Sequence, residues 1–167
     1  SNSYPFIVRG WQGLLIEPHP EAFQKAQQLH RKRKQVILLN TACSDRDGEL
    51  ELKTYAGDAD GSHSSLGERV ESIEGAPTAP RDSLRVKVHR LEALLDEFRI
   101  PHEFGLLTID TEGHDFQVLR GANLTRYRPQ VIITEKNPDD EEKFAFLRAN
   151  GYRCHADLQF DTIWTVP

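Results

Sequence analysis

Three short apolar runs in this chain end on an acid: Gly13-Leu14-Leu15-Ile16 on Glu17, Gly105 to Ile109 on Asp110, and Val131 to Thr134 on Glu135. Each reads as a strand buried in a parallel sheet, and ligands of open α/β sheets bind just beyond the carboxyl ends of such strands. Any one strand-end acid is equally well a cap or a turn former, but three on one edge suit acid–base chemistry. A general base must come within hydrogen-bond reach of the proton it removes, and Asp110, Glu112, His114 and Glu135 are the candidates. Glu17 suits a different task, because an acid ending the second strand of a nucleotide-binding unit accepts hydrogen bonds from two ribose hydroxyls.

That reading of Glu17 calls for a Gly-rich turn about 20 residues upstream. Only 16 residues precede Glu17, no GxGxxG occurs anywhere, and the chain opens on Ser1 with no methionine in it. The expectation is a domain truncated at its N-terminus. Asp110, Glu112, His114 and Asp115 also have the chemistry of divalent-cation ligands, and alternate residues of an extended segment share a side. No second His and carboxylate pair at comparable spacing supports a metal, and none is expected.

The elements that must position these residues alternate between strand and helix over the 167 residues, which predicts a single α/β domain. A helix end at Tyr4 to Arg9 stops at Gly10, a helix runs from Pro20 to about Arg33, and Val36 to Thr41 is a second apolar strand. Glu49 to Lys53 and Leu84 to Val88 alternate apolar with polar residues and predict a half-exposed antiparallel pair. Gly57 to Pro80 between them reads as a flexible, lid-like loop. Leu91, Leu94, Leu95 and Phe98 mark an amphipathic helix, a short helix carries Phe116 and Leu119, and a helix from about Asp139 to Asn150 ends at Gly151. Two strands, Tyr152 to Ala156 and Thr162 to Val166, form a terminal hairpin.

Twenty-one basic against 26 acidic residues give a formal charge of −5, which argues against a dedicated nucleic-acid binder. The basic run His30 to Lys34 reads as a solvated helix end. No apolar run reaches the 18 or so residues of a membrane span, and the two cysteines, Cys43 and Cys154, read as reduced thiols. A cytoplasmic location is the expectation, with neither membrane nor nucleic acid as partner.

The segments Glu17-Pro18-His19-Pro20, Ala42-Cys43-Ser44-Asp45 with Asp47-Gly48, Ile109-Asp110-Thr111-Glu112-Gly113-His114-Asp115, Val118-Leu119-Arg120-Gly121 and Arg128-Pro129 before Thr134-Glu135 together resemble the FkbM family of S-adenosylmethionine-dependent methyltransferases. Gly151-Tyr152 and Ile163-Trp164 fit it too. The family usually shows Asp-Val-Glu-Gly-Ala-Glu where this chain has Asp-Thr-Glu-Gly-His-Asp, and its first strand and Gly-rich motif are absent here. The resemblance implies a Rossmann-like, seven-stranded methyltransferase sheet lacking its first, central strand, so that a gap separates the strands ending at Glu17 and Asp110. It also implies S-adenosylmethionine as cofactor, with Glu17 and Pro18 at its ribose, Ala42, Ser44 or Asp45 near its adenine, and Asp110 and Glu112 lining the transfer site. The acceptor would be a hydroxyl on a sugar or another small molecule. A dinucleotide-dependent oxidoreductase would use Glu17 in the same way, and an inactive truncated domain is the third reading.

Overall fold

In the computed structural model, which describes residues 2–55, 65–66, 80–137 and 140–167, helices and strands alternate in an α/β fold without a barrel. The first unit is β1 (Gly13–Ile16), α2 (Pro20–His30) and β2 (Val36–Leu39), preceded by the short helix α1 (Tyr4–Val8) that ends near Gly10 at φ +93. β1 and β2 pair in parallel, Ile16 opposite Leu39. Pro20 sits in the first turn of α2, where its missing N–H is no loss. The helix stops at His30, three residues short of the expected Arg33: the Arg33 amide closes a tighter turn on the His30 carbonyl at 2.8 Å, and its guanidinium donates to the Leu29 carbonyl at 2.5 Å.

The middle of the chain builds a second sheet from β3 (Ala42–Ser44), β4 (Gly48–Tyr55), β5 (Ser65–Leu66) and β6 (Pro80–Arg90), in the order β3-β6-β4-β5. β4 and β6 form the expected antiparallel pair, with Leu50 facing Val86 and Leu52 facing Leu84, while Glu49 meets Lys87 and Glu51 meets Arg85. Opposite charges and apolar partners thus segregate to the two faces. The three-residue strand β3, too short to show a period, pairs in parallel with β6. The lid-like loop expected over 57–80 falls, apart from residues 65–66 and 80, outside the described residues.

The third sheet holds β7 (Glu103–Ile109), β8 (Arg128–Glu135), β9 (Arg153–Asp157) and β10 (Asp161–Thr165), in the order β7-β8-β10-β9; α3 (Leu91–Glu97) leads into it from β6, and α4 (Asp115–Gly121) and α5 (Glu141–Ala149) lie in its connections. β7 and β8 are parallel, and β10 runs antiparallel to both β8 and β9, so the terminal hairpin completes the sheet. Behind it lies the main core, in which Trp164, Tyr127, Tyr152, Leu119, Leu124, Ile132 and Leu147 are fully buried. Their polar tips are satisfied: Tyr152 Oη donates to the Pro129 carbonyl at 2.9 Å, Tyr127 Oη to Asp96 at 2.8 Å, and Trp164 Nε1 to Thr162 Oγ1 at 3.0 Å. α4 packs directly on β3, since a Cβ added at Gly121 would stand 1.9 Å from the Ser44 carbonyl oxygen.

Among the described residues the strands divide into three ladders, and none joins β1 to β7. β1 and β2, expected to be buried on both faces, are half-covered instead, with Ile37 40% exposed. A pair two strands wide has two open edges, and α2 offers it no buried side chain. Trp11, just before β1, lies against Gly105 of β7. Cys43 is buried, which pushes its thiol up to about 12, and Cys154 is exposed; the two are not bridged. Among the described residues no helix is long and apolar enough to cross a membrane.

Candidate active site

The parallel register of β7 and β8 ends at Ile109 opposite Thr134, so Asp110 and Glu135 follow side by side at the carboxyl edge. Beyond Asp110 the chain turns through two left-handed residues, Glu112 at φ +52 and Gly113 at φ +98. For a glycine this is free, whereas for Glu112 it costs about 1–2 kcal/mol. The turn brings Glu112 back toward β8, and one oxygen from each of Asp110, Glu112 and Glu135 lies within 4.8 Å of the others. Like charges this close cannot all ionise freely, so the cluster favours a shared proton or a cation.

Glu135 is where the proton settles. Burial pushes its carboxyl up to about 7, with the charges of Asp115, Glu112 and Asp110 adding to the effect and a hydrogen bond from the Gly113 amide opposing it. Its Oε2 is buried and accepts no hydrogen bond among the described residues. Asp110 also titrates above its ordinary value, through desolvation on its protein side and then through Asp115 and Asp161. Because Asp110 keeps a solvent-exposed face, water screens that effect more than at Glu135.

His114 does not join the acids. The left-handed turn at Glu112 and Gly113 breaks the extended geometry that would have aligned Asp110, Glu112 and His114 on one side, and the imidazole points to β3 instead. Its Nε2 lies 2.9 Å from Ser44 Oγ. Burial lowers the His114 pKa, opposed by the nearby charges of Asp45 and Asp115, so the ring is neutral. Ala42 and Ser44 are each 2% exposed. Asp45 is half-buried, with its Oδ1 3.4 Å from Ser44 Oγ and its Oδ2 3.7 Å from Arg120.

At the other parallel pair, Glu17 stands one residue beyond β1 and its amide continues the ladder to the Leu39 carbonyl at 3.0 Å. Glu17 Oε1 accepts the His19 amide at 2.8 Å. Asn40, just past β2, donates its Nδ2 to the carbonyls of Glu17 at 2.9 Å and Pro18 at 3.1 Å, which fastens the loop.

This arrangement of strand-end carboxylates coincides with a sequence match along most of the chain: the profile of the methyltransferase FkbM domain covers residues 1–154. The chain belongs to the FkbM methyltransferase family. Membership sets it among methyltransferases and apart from the dinucleotide-dependent oxidoreductases considered above. No curated protein and no solved structure gives a significant match.

Within this FkbM domain, several residues that shape the site escaped sequence reasoning. Asn40 falls inside the strand expected from Val36 to Thr41, but β2 ends at Leu39, and parallel pairing of β1 with β2 puts Asn40 beside the Glu17 loop. Lys143 is 2% exposed and holds both Asp140 Oδ1, at 2.9 Å, and the Glu135 carbonyl. Thr134 is fully buried at the end of β8 and donates to Asp115. The sequence showed it only as the end of an apolar run and as part of the Thr134-Glu135 segment of the family resemblance, without a partner.

Proposed function

We propose that this chain transfers a methyl group from S-adenosylmethionine to a hydroxyl of a sugar or another small molecule. The observation that carries the reading is the trio Asp110, Glu112 and Glu135 at adjacent strand ends, one of them holding a proton near neutral pH. The cofactor, when bound, supplies a methyl carbon activated by a sulfonium cation. The residues present suit it: carboxylates attract the cation by charge complementarity, and Glu17 offers acceptor oxygens of the kind that ribose hydroxyls bind. Pro18, with its carbonyl fastened by Asn40, lies in the same loop, and Ala42 and Ser44 of β3, with Asp45 just after it, would lie toward the adenine, as the family resemblance implies.

With the cofactor bound, the acceptor oxygen would take the methyl group and S-adenosylhomocysteine would leave, so this chain must supply a base for the hydroxyl proton. Glu135 suits that role best, because a base with a pKa near the working pH is most effective and its Oε2 has no competing partner among the described residues. Asp110 and Glu112 share the edge and orient the acceptor. His114, engaged by Ser44, supports α4 at the rim of the site. The remaining task is alignment of donor and acceptor.

Isothermal titration tests the reading. S-adenosylhomocysteine is expected to bind, NAD is expected not to, and Glu17→Gln should weaken the former about 10-fold, the loss typical of one charge-assisted hydrogen bond. Binding of NAD alone would overturn it in favour of the oxidoreductase, and binding of neither would leave an inactive domain.

A further inference from the structure

Asp115 opens α4 and is 1% exposed. A carboxylate so deeply buried is unfavourable unless both oxygens are hydrogen-bonded, and an apolar side chain of similar volume would pack there without that requirement. Its bonds are divided evenly. Oδ1 accepts the Thr111 amide at 2.9 Å and the Thr111 hydroxyl; Oδ2 accepts the Thr134 hydroxyl at 2.7 Å and the Glu135 amide at 2.9 Å. One oxygen therefore serves the turn after β7, and the other serves the end of β8.

This division falls where the sheet stops. Ile109 and Thr134 are the last residues of the β7–β8 register, so the turn that carries Glu112 lies beyond it. Asp115 adds a side-chain connection from that turn to the end of β8. We propose that Asp115 is the positioning residue of the transfer site, its two oxygens holding the turn after β7 and the end of β8 at one separation and thereby setting the spacing of Asp110, Glu112 and Glu135. What those three acids accomplish rests on the methyl-transfer reading; the clamp is a separate claim.

The test follows amide hydrogen exchange by NMR in the full chain, together with titration of S-adenosylmethionine. Asp115→Asn keeps the volume but turns one acceptor into a donor aimed at another donor. It should speed exchange at the Thr111 and Glu135 amides about 10-fold or more, leave Leu107 and Ile132 within the ladder unchanged, and weaken S-adenosylmethionine, whose sulfonium the three acids attract, about 10-fold. Thr134→Val removes one donor to Oδ2 alone, so exchange should rise at Glu135 and not at Thr111. Should Asp115→Asn fail to fold, the Thr134→Val pattern decides. Exchange that rises evenly through the sheet in either variant, or an unchanged affinity in a folded Asp115→Asn, would overturn the proposal. A wild-type chain that binds no S-adenosylmethionine would refute the methyl-transfer reading, while the exchange pattern would still decide the clamp.

Discussion

Among the described residues, two of the parallel strand pairs that end in acids, β1–β2 with Glu17 and β7–β8 with Asp110 and Glu135, have opposite chemistry. At the first, both strands are half-exposed, the carboxylate receives the His19 amide, and Asn40 fastens the loop. At the second, Ile109, Ile132 and Thr134 are buried behind the edge, and the carboxylates face one another with Asp115 beneath them. A donor favours the ionised acid, whereas burial and like charge favour the protonated one. The difference teaches that a strand-end acid is an acceptor or a proton carrier according to what surrounds it, not according to its residue type.

Glu135→Gln tests this contrast with the largest expected effect. Loss of a general base lowers the transfer rate about 100-fold or more, and the rise of rate with pH through about 7 should disappear with it. Stability carries the same signature. Glu135 titrates at about 7 in the folded chain against an ordinary 4.5, so the folded state keeps a proton that the unfolded chain releases. Its contribution is fully present below 4.5 and is lost as pH rises toward 7. Urea denaturation across that window should show the decline in the native chain and a flatter profile in Glu135→Gln. Glu17→Gln should leave the decline intact; if it flattens the profile instead, the contrast between the two ends is wrong.

A smaller effect separates the two regions by packing. In Gly121→Ala the new methyl would meet the Ser44 carbonyl oxygen at 1.9 Å, which is backbone and cannot yield. The expected cost is about 1–3 kcal/mol, read as a lowered urea midpoint. Gly13→Ala in β1 meets Ile7 Cδ1 at 2.7 Å, the tip of a flexible side chain that can rotate away, so its cost should be clearly less. Equal costs would show that α4 is not held tightly against β3.

The smallest expected change is at Asn40→Ala. Removing two hydrogen bonds to the Glu17 and Pro18 carbonyls, both in an exposed setting, should cost about 1 kcal/mol of stability. The affinity for S-adenosylhomocysteine should fall only a few-fold. A loss as large as that of Glu17→Gln would mean that loop placement, rather than the carboxylate, governs that end.

Several of these features were legible before any coordinates. The alternation in Glu49 to Lys53 and Leu84 to Val88 specified the β4–β6 pair, since a one-residue slip would have set Leu50 and Leu52 on the charged face. The terminal hairpin followed from two strand-like runs without a helix between them. β3 escaped because three residues carry no period, and the half-exposure of β1 and β2 escaped because an all-apolar run looks the same whether one face or both are covered.

By itself the sequence determined which acids stand at strand ends, because an apolar run stopped by Asp or Glu is a local pattern. It also carried the family, through motifs such as Asp110-Thr111-Glu112-Gly113. Only the tertiary structure decided which of these acids meet. The turn at Glu112 brings that carboxylate to Glu135 and sends His114 to Ser44, and Asp115 joins strand ends, Ile109 and Thr134, that are far apart in the chain. The raised pKa of Glu135 belongs to the same level, because it comes from burial and from neighbours on other elements. Burial and charge proximity are properties of three-dimensional surroundings, and no spacing along the chain records them.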